Sequence, residues 1–152
     1  MSALLVLVSL LSVPLESGVG EVLNDFHRAA SEADGDRYFA HFADDGVFVG
    51  TDATEIWSVK AFKAYAEPFF SKGKGWTYHP DRDTRLIRHS ADRKTAWFYE
   101  TLRHEKYGVL RGSGALSRVG NTWKINQYVL SFAVPNGVAK DVVERIKKAG
   151  SE

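Results

Sequence analysis

Hydrophobic and polar positions recur with two different periods along the chain, helical in its first half and strand-like in its second. Apolar side chains in residues 21–33 recur every three or four positions, which predicts an amphipathic helix that ends at an acidic, glycine-containing turn. A second, short helix with Asp36 as its N-cap and a brief strand over residues 47–49 are predicted next. Ser58 is the predicted N-cap of a third helix, which Pro68 should bend in its last turn.

From Gly75 onward the period changes to the alternation typical of strands. Four such runs are separated by the turn signals at residues 90–92, 106–108 and 120–121, which predicts a four-stranded antiparallel meander. A closing helix is predicted to start near Pro135, a residue favoured in the first helical turn. Helices followed by a long meander indicate an α+β fold.

The amino-acid composition limits the kinds of partner and binding site that the chain is expected to have. The 152 residues are 44% hydrophobic, enough to build the core of one domain. Twenty Lys and Arg are interspersed with nineteen Asp and Glu, so the basic stripe that nucleic acid requires is missing and no nucleic-acid partner is predicted. There is no Cys, and the five His residues show neither HxH nor HExxH spacing, so no metal site is predicted. No phosphate-binding loop or dinucleotide fingerprint occurs, and no cofactor is predicted.

Residues 1–20 have the pattern of an export signal. An apolar run of about eleven residues begins at Ala3, too short to cross a bilayer but typical of a signal-peptide core. Small residues just before Glu21 are spaced as a signal peptidase requires. The sequence therefore predicts a cleaved signal peptide, a mature domain of residues 21–152, a periplasmic or secreted location and no stable membrane anchor. Since no Lys or Arg precedes the apolar run, the alternatives are a mis-chosen start or a helix that lies on the domain.

Five separated motifs occur in order along the chain. They are GTD at residues 50–52, GWTY at 75–78, AWFYE at 96–100, YGVLRGSG at 107–114 and WKINQYVLSFAVPN at 123–136. Together they resemble the SnoaL-like branch of the nuclear transport factor 2-like superfamily over roughly residues 21–140. The resemblance implies a cone-shaped, curved antiparallel sheet that packs on N-terminal helices and encloses an apolar pocket. One departure is Tyr99, which stands where members tend to have a carboxylate.

The turn at residues 120–121 predicts which strand side chains face the pocket. A two-residue loop pairs its flanking residues, and strict alternation from there places Gly112 and Gly114 inside, where missing side chains leave room for a ligand. The turn before it in the chain, at residues 106–108, is taken to have a two- or four-residue loop. The larger side chains then predicted to face inward are Trp97, Tyr99, Arg103 and Gln127. Those predicted to face outward are Glu100, Arg111, Ser113, Tyr128, Leu130 and Phe132.

Two residues are candidates for catalysis. Tyr99 would donate a hydrogen bond to a ligand carbonyl and Asp52 would act as a base, although Tyr99 could instead anchor the core and Asp52 could cap its own turn. The predicted ligand-binding residues are Trp57, Trp76, Tyr78, Trp97, Arg103 and Gln127. Paired indoles at a pocket mouth favour a small apolar or aromatic molecule, although both could also be ordinary core residues.

The superfamily that the chain resembles includes ketosteroid isomerases, polyketide cyclases, dehydratases and epoxide hydrolases, together with transport and association domains that catalyse nothing. The resemblance therefore implies a small-molecule-binding domain that could act as a cofactor-free isomerase, cyclase, dehydratase or hydrolase on an apolar substrate. The alternative is a non-catalytic association module, whose pocket would be filled by its own aromatic side chains. A homodimer is expected through the outer sheet face, because Leu130 and Phe132 would otherwise be exposed there.

Overall fold

The structure, a computed structural model, describes residues 15–150, with side chains from residue 18 onward. Within that part of the chain it contains four α-helices and six β-strands. In chain order these are α1 (Leu15–Ser31), α2 (Gly35–Ala40), β1 (Phe42–Val49), β2 (Ile56–Ser58), α3 (Val59–Phe70), β3 (His79–His89), β4 (Thr95–His104), β5 (Gly108–Val119), β6 (Thr122–Phe132) and α4 (Ala139–Ala149). The predicted α+β class is confirmed.

All six strands form one curved sheet in the order β2-β1-β6-β5-β4-β3. The predicted antiparallel meander is confirmed as β3 to β6. The sheet as a whole is mixed, because β1 pairs with β6 in parallel and places Phe48 beside Tyr128. The concave face of the sheet, called the inner face below, covers helices α1 to α3.

The core lies between these helices and the inner face. Leu23, Phe26 and Ala30 are buried on one side of α1, as their helical spacing predicts. His27 follows Leu23 by four positions, so it lies on the same side and is buried too. Phe26 stacks on Tyr38 of α2 with ring centroids 4.5 Å apart. Helix α1 therefore places one polar side chain, that of His27, in an aromatic core.

Of the two predicted N-cap residues, one is confirmed and the other is wrong. Ser58 caps α3 as predicted, since its hydroxyl accepts the amide N–H of Ala61. Asp34, not Asp36, caps α2, because its carboxylate accepts the amide N–H of Arg37 three residues later. Asp36 lies inside the first turn of α2, where a negative charge favours the helix dipole.

The N-terminal helix begins earlier than the spacing predicts. α1 starts at Leu15, so the predicted cleavage point before Glu21 lies inside this helix. Val19 is fully buried, and the carbonyl of Gly20 accepts a hydrogen bond from Arg85 at 3.2 Å. The apolar run that suggested a signal peptide lies outside the described residues, and export stays a prediction. Between residues 15 and 150, no helix is long and apolar enough to cross a membrane.

Helix α4 is present as predicted but leaves much of its apolar side uncovered. It packs mainly against the short 3-10 turn that precedes it, Asn136–Val138. Val143 and Ile146 are 47% and 64% exposed. The helix therefore adds little to the core of the domain.

Candidate functional site

The loop between β4 and β5 decides which side chains of β4 face inward. Glu100 pairs with Gly112, and His104 pairs with Gly108, so the loop between them is residues 105–107. The predicted register assumed two or four loop residues. A loop of three residues shifts the pairing of β4 with β5 by one residue relative to that prediction. Gly108 has a φ of +69°, the left-handed conformation that three-residue hairpin loops require.

This shift reverses the predicted faces of β4. Trp97 and Tyr99 are 49% and 47% exposed on the outer face, and Arg103 is exposed beside them. The prediction that these three side chains point into the pocket is therefore wrong. Glu100, predicted to lie outside, is fully buried on the inner face.

A β-bulge produces a second reversal, in β6. Leu116 pairs with Ile125 as predicted, but the neighbouring Ala115 pairs with Gln127, which leaves Asn126 as an extra residue in β6. Because one additional residue turns every later side chain to the opposite face, Gln127 points outward and the prediction that it faces the pocket is wrong.

The bulge also corrects the predicted outer surface. Tyr128 and Leu130 are 2% and 7% exposed and lie on the inner face, and Phe132 lines the cleft described next. Arg111 and Ser113 pair with the outward residues of β4 and lie outside as predicted. The apolar residues that led us to expect a dimer therefore face the interior, and the outer surface carries Trp97 and Tyr99 in their place.

An open cleft of about 980 Å³ lies at the mouth of the cone. One of its walls comes from β2, α3 and the segment before β3, and includes Trp57, Phe62, Tyr65 and Trp76. The facing wall contains Tyr78, His104, Tyr107 and Phe132, in which the rings of His104 and Tyr107 stack 4.7 Å apart. Trp57, Trp76 and Tyr78, three of the predicted ligand-binding residues, thus line the cleft. The pocket is not filled by its own aromatic side chains.

Beneath the cleft, a buried carboxylate holds three polar side chains together. Glu100 Oε1 lies 2.6 Å from His27 Nε2 and accepts the Tyr128 hydroxyl at 3.1 Å. Its other oxygen, Oε2, accepts Arg85 Nε at 2.9 Å. Arg85 is itself held by Asn24 Oδ1 at 2.8 Å and by the carbonyl of Gly20. We call His27, Arg85, Glu100 and Tyr128 the inner cluster.

The charges of the inner cluster follow from these contacts. Burial raises the pKa of Glu100, but the hydrogen bond from His27 and the charge of Arg85 outweigh it and hold the pKa below its ordinary value. Glu100 is thus a carboxylate that accepts the Nε2–H of His27. Burial, followed by the charge of Glu100, raises the pKa of Tyr128 well above its ordinary value, so this side chain remains a hydroxyl donor.

A small cavity of about 20 Å³ separates the inner cluster from the cleft. His27, Tyr38 and Tyr128 line this cavity but not the cleft, whereas Phe48, Trp76, Tyr78 and Leu130 line both. Burial raises the pKa of Tyr38, which is therefore also a neutral hydroxyl. The side chains that line both cavities thus lie between the open cleft and two members of the inner cluster, His27 and Tyr128.

Asp52, the predicted base, does not line either cavity. Its carboxylate is exposed and accepts hydrogen bonds from the Thr54 hydroxyl at 2.6 Å and the Thr54 amide at 2.9 Å. These bonds lower its pKa, which makes it a weaker base. Asp52 therefore has the geometry of a turn cap, and neither Asp52 nor Tyr99 lines the cleft.

No group of three or more His, Asp or Glu side chains in residues 15–150 is arranged to hold a metal ion. The inner cluster contains only one carboxylate and one imidazole, and both are already hydrogen-bonded to each other. Its side chains donate and accept hydrogen bonds.

The sequence contained one signal for the inner cluster that the prediction did not use. The even-numbered residues of β4 include Ala96, Phe98 and Leu102, which are apolar, whereas the odd-numbered set includes two Thr and an Arg. A carboxylate within the more apolar set, such as Glu100, is the unusual residue that points to a buried polar group. Arg85 gave no comparable signal, because a strand arginine is ordinarily solvated.

Comparison with known proteins agrees with this architecture. The family model described as a SnoaL-like domain matches residues 19–135. A search of the curated proteins found no match.

Among solved structures, similar ones include a nuclear transport factor 2-like protein of unknown function from Pseudomonas putida, with a TM-score of 0.64 and 16% identity, covering 80% of this chain and 88% of that one. A protein from Novosphingobium aromaticivorans that is provisionally assigned as a scytalone dehydratase has a TM-score of 0.64 and 13% identity, covering 78% and 84%. A provisionally assigned calcium/calmodulin-dependent kinase II association domain from Xanthomonas campestris has a TM-score of 0.56 and 20% identity, covering 78% and 86%. At these identities the likeness shows the fold.

Proposed function

The chain belongs to the SnoaL-like domain family, and on that premise we propose that it binds a small aromatic molecule in the cleft and acts on it by proton transfer without a cofactor. The observation that carries this proposal is the ionised, fully buried Glu100 hydrogen-bonded to His27 beneath an open aromatic cleft. Open pockets lined by aromatic side chains with a few converging polar groups are the usual form of a small-molecule site. Among the structural neighbours, the one provisionally assigned as a scytalone dehydratase supports the same class of reaction.

The inner cluster supplies a positioned base. Because Glu100 accepts the Nε2–H of His27, the lone pair of the imidazole is on Nδ1, which has no hydrogen-bond partner among the described residues. His27 would take a proton from a ligand atom at Nδ1, and Glu100 would stabilise the imidazolium that forms. Arg85 acts through Glu100, which it keeps ionised and fixed in place. Tyr128 provides a hydroxyl donor next to this pair.

Proton transfer requires the ligand to reach past the shared wall of the two cavities. Tyr78 and Trp76 form part of that wall and are half-buried. A planar ligand that enters between the aromatic walls and displaces either side chain would contact His27. Dehydration, isomerisation and cyclisation all need such a base near an apolar binding site.

Binding is tested by the indole N–H signals of the four tryptophans in ¹⁵N-labelled protein. In a titration with naphthalene, quinoline and indole derivatives, the signals of Trp57 and Trp76 should shift, because these residues line the cleft. The signal of Trp97 is the matched control, since its ring lies on the outer face. Shifts confined to Trp97, or no shift with any compound, would overturn the proposed binding site.

Proton transfer is tested with 5-nitrobenzisoxazole, a planar aromatic compound that needs only a base. The base takes the ring C–H proton, the electron pair of that bond forms the nitrile, and the N–O bond breaks to give a nitrophenolate. His27→Ala should lower kcat/KM by about a hundredfold or more, the range that general-base catalysis contributes. Trp97→Phe should leave kcat/KM unchanged. Equal rates in His27→Ala and wild type would contradict His27 as the base.

We also propose that the outer sheet face joins two copies of this chain. Trp97 and Tyr99 form an exposed aromatic ridge, and they pair directly with the small residues Ala115 and Ser113 of β5. When two copies pack face to face about a two-fold axis, the aromatic ridge of each copy can fit into the trough of small residues on the other. The likeness to a provisionally assigned association domain supports a role for this fold in assembly.

Light scattering at micromolar concentration should give twice the chain mass of 16.9 kDa for the wild type. Trp97→Lys should give a monomer, because it places a charge in the centre of the interface. Ile146→Lys is the matched control, since Ile146 is an exposed apolar residue on α4. A monomeric wild type, or a dimer broken by Ile146→Lys and not by Trp97→Lys, would overturn the proposed interface.

A further inference from the structure

One carboxylate is held against the wall of the cleft by its own loop. Glu55 lines the cleft, and its Oε2 lies so close to Gly50 that any side chain at position 50 would collide with it. The same oxygen accepts the amide N–H of Asp52 at 3.2 Å, and the Glu55 carbonyl accepts the amide of Gly50 at 2.8 Å. The backbone thus holds the Glu55 carboxylate in a fixed position.

This carboxylate has no cationic partner among the described residues. None of the ion pairs of the described residues includes Glu55, and its only hydrogen bond is to the Asp52 amide. Aromatic residues from separate elements surround it, since Trp57, Tyr65 and Tyr78 line the same cleft. Burial raises the pKa of Tyr78, and the charges of Tyr107, Glu55 and Tyr65, which line the same cleft, raise it further.

The charges that line the cleft add up to a negative value. Counting its two histidines, His79 and His104, as neutral, Glu55 and Glu105 supply two negative charges and Lys106 supplies one positive charge. His104 is neutral, because its Nδ1 accepts the amide N–H groups of Lys106 and Tyr107. The Lys106 ammonium lies 5.2 Å from the centroid of the Tyr107 ring, which shows that an aromatic face at this rim holds a cation.

Resting on the binding role assigned to the cleft above, we infer that its ligands are aromatic molecules that carry a positive charge, with Glu55 as the counter-ion. The negative faces of aromatic rings attract ammonium groups, and the effect strengthens where water is partly excluded. A carboxylate without a protein partner adds attraction in the same direction. Together they predict a preference for an amine over a neutral or acidic compound of the same shape.

The experiment compares three probes with one ring system, namely 2-naphthylmethylammonium, 2-naphthylmethanol and 2-naphthoate. Isothermal titration at about pH 7 and low salt should show the ammonium compound binding about tenfold more tightly than the alcohol. The naphthoate should bind more weakly than the alcohol. Raising the salt concentration should reduce the difference between the charged probes, because the cleft is open to solvent.

Three variants separate Glu55 from the general charge of the protein. Glu55→Gln keeps an oxygen that accepts the Asp52 amide, so the loop should hold while the ammonium preference falls several-fold and the alcohol affinity stays the same. Glu144→Gln on α4 removes the same charge far from the cleft and should change nothing. Lys106→Gln should leave the ammonium compound bound at least as tightly as in the wild type.

Each result decides a different question. If the alcohol and the naphthoate bind as well as the ammonium compound, or if Glu55→Gln behaves like Glu144→Gln, the inferred ligand charge is wrong while the cleft remains a binding site. If none of the three probes binds to the wild type, the inference fails together with the binding part of the proposed function.

Discussion

Tyr99 and Glu100 are consecutive residues in β4, yet they belong to the two most different surfaces of the molecule. Tyr99 lies on the outer face with 47% of its surface exposed and beside a trough of small side chains. Glu100 lies on the inner face, fully buried, with partners from α1, β3 and β6. In a strand, neighbouring side chains always separate in this way, so one residue of register decides whether a tyrosine or a carboxylate becomes the buried group.

The two faces also differ in how tightly they are determined. On the inner face, each polar atom of Glu100 is matched by a donor, so a change to any one member leaves another without its partner. On the outer face, the side chains of Trp97 and Tyr99 make no hydrogen bond to another described residue, and substitutions there should affect association more than folding. The predictions below compare the faces on that basis.

The largest expected difference is between Glu100→Gln and Tyr99→Phe. Removing the Glu100 charge leaves Arg85 buried without a counter-ion, which should lower the free energy of unfolding by about 3–5 kcal/mol. Tyr99→Phe should change it by less than about 1 kcal/mol, because at most one exposed hydrogen bond is lost. Urea denaturation of both variants under one set of conditions measures the difference. Equal effects would mean that the two faces have been assigned to the wrong residues.

Shortening the chain to begin at Glu21 tests how far the inner face depends on the start of α1. This change removes the fully buried Val19 and the Gly20 carbonyl that holds Arg85. The loss of one buried valine and one hydrogen bond to a charged group should cost about 2–4 kcal/mol. Thermal denaturation of both lengths measures this cost.

N-terminal sequencing of the protein from its native host would show whether cleavage before Glu21 occurs, and a start at Met1 or Ser2 would contradict export.

Two glycine substitutions compare a crowded position on the inner face with an open one elsewhere. A side chain at Gly112 would collide with the Tyr128 hydroxyl, so Gly112→Ala should destabilise the fold by about 1–3 kcal/mol and push that hydroxyl away from Glu100. Gly137→Ala meets no atom within 4 Å and should change stability by less than about 0.5 kcal/mol. Denaturation midpoints measure both. If the two variants are equally stable, the packing of Tyr128 over Gly112 is wrong.

The smallest expected effect concerns pH. Since the pKa of folded Glu100 lies below its ordinary value of 4.5, its stabilising contribution is complete above that value and is lost as the pH falls through the folded pKa. The wild type should therefore lose stability more steeply below about pH 4.5 than Glu100→Gln does. Tyr99→Phe should follow the wild type. Parallel curves for wild type and Glu100→Gln would show that Glu100 is not held ionised by folding.

The fold was predictable from the sequence because its signals are local and redundant. Helical spacing identified α1 and α3, Ser58 marked a helix start, and the turn at residues 120–121 has the predicted two-residue form. The parallel pairing of β1 with β6 carried no such signal, because it joins segments that are far apart in the chain.

The candidate site was less predictable because the face of each strand residue depends on whether the preceding loop or bulge adds an odd or an even number of residues. The loop at residues 105–107 and the extra residue Asn126 each reverse a face, and neither leaves a distinct local pattern in the sequence. Trp57 in the short strand β2 and Trp76 in the segment before β3 were assigned to the pocket without relying on the register of β4 to β6. His27 was missed because a single histidine on an apolar helix side is usually an ordinary core residue.

The pairing of β1 with β6 also has a consequence for the order of events during synthesis. Phe48 lies beside Tyr128, so the partner of β1 leaves the ribosome eighty residues later than β1 itself. Until then, the nascent chain holds α1 to α3 with their aromatic side chains uncovered, and contacts between distant segments form slowly. Glu100 and Arg85 are made before Tyr128 but after His27, so the inner cluster is completed only when almost the whole domain has emerged. A nascent chain that stalls before β6 would expose the aromatic core to chaperones and to other chains.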